Sequence, residues 1–84
     1  MRFTIEQRHL TDVAGKPVSD ELSFHTCEAN DADDAVRLFA RGQSAELIGN
    51  VLRFPGFQAI ATMRNAEGVF TLQVGPSSQQ LHFR

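Results

Sequence analysis

Hydrophobic and polar positions along this 84-residue chain alternate with two different periods. Over residues 2–10, Phe3 and Ile5 alternate with Arg2, Thr4, Glu6 and Arg8, which predicts a strand. Residues 12–17 (Asp12 to Pro17) hold Gly15 and Pro17 and predict a turn. Residues 20–28 predict a second strand with Leu22 and Phe24 on its apolar side. Pairing the two strands so that Leu22 and Phe24 join Phe3 and Ile5 sends His25 and Cys27 to the opposite face, with Thr4 and Glu6. His9 is expected on the core side.

The period then switches to helical. Residues 30–42 carry Ala32, Ala35, Val36, Phe39 and Ala40 as a buried stripe. Asn30 is the expected N-cap, and Asp31, Asp33 and Asp34 fill the first turn, where free N–H groups and the positive dipole end favour carboxylates. Arg37 follows Asp33 by four residues, Arg41 lies in the last turn, and Gly42 is expected just past the end.

Residues 44–54 read either as a second short helix started by Ser44 or as a strand. Gly49 and Asn50 tip the balance to a strand, followed by a turn at Phe54-Pro55-Gly56-Phe57. Residues 57–64 and 69–74 flank Asn65-Ala66-Glu67-Gly68, a hairpin signal. Setting Arg64 opposite Val69 gathers Phe57, Ala59, Ala61, Met63, Phe70, Leu72 and Val74 on one face. The two small residues there invite close approach of the helix. After Gly75-Pro76-Ser77-Ser78, Leu81 and Phe83 alternate with His82 in a last short strand.

The expected fold is therefore α+β: one small domain over 1–84, an antiparallel sheet of five to six strands in ββ-α-βββ order, the sixth being the short C-terminal one. One helix packs on one face.

Composition narrows the chemistry. Ten acidic against eight basic residues give a net charge of −2, with no basic run, which argues against nucleic acid. Cys27 is the sole cysteine, so no disulfide forms within the chain, and a reducing, cytoplasmic setting is expected. The N-terminal residues hold no apolar run of signal-peptide length, and no segment has the length of a membrane span.

Candidate sites mostly have structural explanations. Asp31, Asp33 and Asp34 suit a helix start better than a cation, because successive helical carboxylates diverge. His25 and Cys27 at i, i+2 supply two zinc ligands at most, where a structural site takes four. They also stand parallel rather than as nucleophile and base. Ser77-Ser78 lacks a nucleophile-elbow context, and the six glycines are dispersed rather than forming a phosphate loop. The seven phenylalanines could stack bases, but Phe3, Phe24, Phe39, Phe57 and Phe70 are expected inside. No catalytic residue, metal or cofactor is expected.

One surface remains. A single helix covers one sheet face, and the expected registers place Leu47, Val51, Ile60 and Val69 among Arg53, Gln58, Thr62 and Arg64 on the other. An apolar centre with a polar rim is the pattern of an interaction surface. The expected function is a non-enzymatic interaction domain that self-associates, as a homodimer, or binds a protein partner. The alternative is a small-ligand or nucleic-acid module using Arg53 and Arg64.

Overall fold

A computed structural model describes residues 1–77, with the side chains of Ser19 and Asp20 left aside. The chain forms β1 (Arg2–Thr11), β2 (Pro17–Glu28), α1 (Ala32–Gly42), β3 (Glu46–Phe54), β4 (Gln58–Asn65) and β5 (Gly68–Pro76). The expected α+β fold in ββ-α-βββ order is present. The short strand expected around Leu81 and Phe83 lies outside the described residues. Among the described residues the sheet has five strands in the order β2-β1-β5-β4-β3, all neighbours antiparallel. Residues 44–54 are thus mainly strand.

The helix starts one residue later than expected. Asp31, not Asn30, is the N-cap: its Oδ1 accepts the Asp34 N–H at 2.8 Å. Asp34 reaches back in turn, its Oδ2 accepting the Asn30 N–H at 3.1 Å. Two orphan donors are satisfied, in the manner of a capping box. The far end also differs. Gly42 belongs to the last helical turn, and the left-handed residue is Ser44, at φ 52. The Ser44 N–H donates to Arg41 O and the Ala45 N–H to Ala40 O, the bond pair of a Schellman motif built on serine instead of glycine.

The helix lies over β3, β4 and β5, with Ala32, Ala35, Val36 and Ala40 facing inward. They meet Phe3, Ile5, Ala59, Ala61, Met63, Phe70, Leu72 and Val74. The expected hairpin register is observed, Arg64 opposite Val69 and Ala61 opposite Leu72. Six of the thirteen buried apolar residues among those described are alanine, small side chains that permit close approach of helix and sheet.

Three face assignments are corrected. Phe3 pairs with Cys27 and Ile5 with His25, which turns His25 and Cys27 toward the helix and leaves Leu22 and Phe24 on the open face beside Glu6 and Arg8. The reason is the exit to the helix: Cys27 and buried Ala29 are small enough to lie under the first turns, with Cys27 Sγ 4.0 Å from Ala35 O. In β3, Ile48 pairs with Thr62 and Leu52 with Ile60, so Gly49, Asn50 and Val51 bulge opposite Ala61. Leu47, opposite Met63, and Val51 therefore pack against the core, and Arg53, opposite Ala59, also faces the helix. Finally, Phe57 is not in the core. The β3–β4 ladder closes at Phe54 and Gln58, and Phe57 swings out with φ 60.

Candidate functional site

The helix-free face carries the residues that the fold leaves unexplained. Of the eight positions expected there, Gln58, Ile60, Thr62, Arg64 and Val69 are on it, whereas Leu47, Val51 and Arg53 are on the helix side. Leu22, Phe24, Ile48, Leu52 and Phe54 lie on this face as well. The strand registers were the missing signal. One bulge in β3 and one hairpin register in β2 decide all of these placements.

The polarity of the face is the inverse of the expectation. Its central strands β1 and β5 present Thr4, Glu6, Arg8, Thr71 and Gln73. Apart from Val69 on β5, its apolar groups lie at two margins. One margin is the β3–β4 hairpin, with Ile48, Leu52 (56% exposed), Phe54 and Ile60, and Phe57 (56% exposed) at the tip. The other is the β2 edge, with Leu22 and Phe24 (62% exposed). Phe57 stands out further, since a non-glycine residue in the left-handed region is strained by about 1 kcal/mol and here shows its ring to solvent.

The two arginines that an anionic ligand would use are committed elsewhere. Arg64 Nε donates to Glu46 Oε1 at 3.2 Å. Arg53 is 3.2 Å from Asp33 Oδ1, on the other side of the sheet. Asp33 also accepts from Arg37 Nε at 3.0 Å. That hydrogen bond, aided by the charges of Arg37 and Arg53 and opposed by partial burial, holds the Asp33 carboxyl below its ordinary value.

A polar cleft of ≈ 490 Å³ opens on the helix side between β2 and the β4–β5 turn, lined in part by Gln7, His9, Ser23, His25 and Phe70. His9 is on the core side as expected, stacked on Phe70 with ring centroids 4.2 Å apart, and its Nε2 is 3.0 Å from Glu67 O. Ser23 Oγ is 3.1 Å from His25 Nε2. His25 also packs against Phe39 at 4.9 Å. Burial first, then the charges of Asp34 and Glu28, push the Cys27 thiol up, the direction that weakens a nucleophile. Among the described residues, no group of three or more His, Cys, Asp or Glu is placed to hold a metal ion, and no helix is long and apolar enough to cross a membrane.

Comparison with protein-family models, with curated proteins and with solved structures finds no match in any of the three.

Proposed function

We propose that this chain is a non-enzymatic interaction domain that binds a protein partner through its helix-free sheet face. The observation that carries the reading is the distribution of large apolar side chains. Six of the thirteen buried apolar residues among those described are alanines, while Phe24, Leu52, Phe54 and Phe57 stand outside the core. A fold with room for so little could have placed polar residues at those positions without loss, so their retention on the surface favours a contact. The ligand or nucleic-acid alternative is weakened, because Arg53 and Arg64 are paired with carboxylates and Arg53 is on the wrong face. As part of the same reading, a half-buried lone thiol suits a reducing, cytoplasmic setting.

The test pairs two baits in affinity capture, the wild type and Leu52→Asp. A protein enriched by the first and lost by the second, with the variant's circular dichroism unchanged, supports the reading. Phe57→Gly adds a second check. It should raise stability by about 1 kcal/mol by relieving the left-handed strain, yet weaken capture. Baits that enrich nothing above an unrelated control would sink the proposal.

A further inference from the structure

We infer that two copies of this chain join edge to edge along β2, Ser23 on the two-fold axis, to make one continuous ten-stranded sheet. This rests on the reading of the chain as an interaction domain and names the partner of one apolar margin.

Face-to-face stacking of the open sheets is disfavoured first. It would bury Glu6 and Arg8 at the centre and leave the apolar margins at the rim, the reverse of how stable interfaces are built. The edges are the remaining route. The β3 edge is guarded by its bulge at Gly49–Val51, where φ of Gly49 is 71. The β2 edge from Glu21 to Glu28 is different. Its ladder to β1 is regular over all eight residues, and it has no lysine, proline or bulge in that stretch. The helix packs on the face of the sheet rather than alongside β2, and leaves this edge without a neighbouring strand among the described residues. Such an edge is a template for another strand.

The backbone says which residues can bond outward. The Ala29 N–H donates to Met1 O across the pair that extends the β1–β2 ladder. Hydrogen-bonded pairs recur every second residue, so Cys27, His25, Ser23 and Glu21 bond inward to β1. Leu22, Phe24 and Thr26 therefore turn their N–H and C=O groups outward.

A second copy of β2 supplies the complement. With a two-fold axis perpendicular to the sheet, residues facing each other must lie on the same face. Centring the axis on Ser23 sets Leu22 against the second copy's Phe24, and Phe24 against its Leu22, at the hydrogen-bonded positions. The four side chains form one apolar cluster on the open face. On the other face, Glu21 meets the second copy's His25 at the closely spaced, non-hydrogen-bonded positions, an acceptor against a donor. Centring on Phe24 instead sets Glu21 against Cys27 and loses that pair. Centring on Leu22 runs into the irregular stretch before Glu21, where three β2 residues stand opposite Leu10.

The mass of the full chain in solution, by light scattering or sedimentation over a concentration series, tests this. The expected value at high concentration is twice the 9.3 kDa of one chain. Phe24→Asp should weaken the dimer about tenfold or more. Glu21→Lys and His25→Glu should each weaken it, and the double variant should restore it, because the swap sets a lysine opposite a glutamate only in this register. Ser23→Cys in a Cys27→Ser background should oxidise to a covalent dimer, since non-hydrogen-bonded partners are separated by about 4.5 Å between Cα atoms, within disulfide reach. A single-chain mass throughout overturns the inference. If Leu22 and Phe24 amides are then protected from hydrogen exchange, another part of the same chain holds the edge. A dimer indifferent to the charge swap also overturns it. Either result leaves the interaction-domain reading to stand or fall on the Leu52→Asp capture experiment.

Discussion

Asp33 shows how one side chain ties the helix to the far edge of the sheet. It sits in the first turn, where a carboxylate complements the dipole, and it receives Arg37 from the next turn and Arg53 from β3. Only the first link was legible in sequence, because i, i+4 spacing is local, whereas Arg53 arrives through a bulge that no local pattern announces. Asp33→Asn should cost about 0.5–1 kcal/mol at pH 6 in urea unfolding, the range for such partly exposed pairs. The direction of its pKa fixes the pH dependence. The folded carboxyl titrates below the ordinary value near 3.8, so its contribution is complete above that value and disappears as pH falls through the folded one. The difference between wild type and Asp33→Asn should therefore shrink as pH falls below the ordinary carboxylate value. A gap that persists there would mean that shape, not charge, matters at this position.

At the scale of elements, existence and order followed from periodicity, but faces and ends depended on backbone details. The helix stripe and the Arg64–Val69 hairpin were readable because each is set within a few residues. The β2 and β3 faces were not. A one-residue slip exchanges the whole inner and outer set, and the β3 bulge is encoded by little more than Gly49. The helix end was misplaced for a similar reason, since Gly42 advertised a stop that Ser44 provides. Ser44→Gly should raise stability by about 0.5–1 kcal/mol, because φ 52 costs glycine nothing. A loss of stability would show that the serine hydroxyl holds the turn. Gly68 makes the opposite case. A Cβ there would lie 1.9 Å from Thr11 O, and φ is 129. Gly68→Ala should cost about 3 kcal/mol in thermal or urea unfolding, as the β4–β5 turn is forced away from β1.

For the molecule as a whole, the decisive feature is the share of small side chains between helix and sheet. Alanines on both sides, Ala35 and Ala40 above, Ala59 and Ala61 below, let backbones approach and leave Phe3, Ile5, Met63, Leu72, Val36 and Val74 as the largest fully buried side chains of the core. That closeness explains why the large residues of β2 and the β3–β4 hairpin are outside, so the site follows from the core rather than from any motif. It also explains why the site was only half legible: small residues at 59 and 61 identified the covered face, but the polar centre of the open face emerged only with the strand order. The layer spacing can be tested directly. Ala61→Leu adds three heavy atoms beneath the helix and should cost about 1–3 kcal/mol by overpacking, a large share of the stability open to a domain of this size. The loss should come with faster hydrogen exchange in α1 and unchanged protection in β1, because the helix alone is lifted. A variant as stable as the wild type would show that the layer holds unused space. The apolar margins would then need another explanation than a core with no room for them.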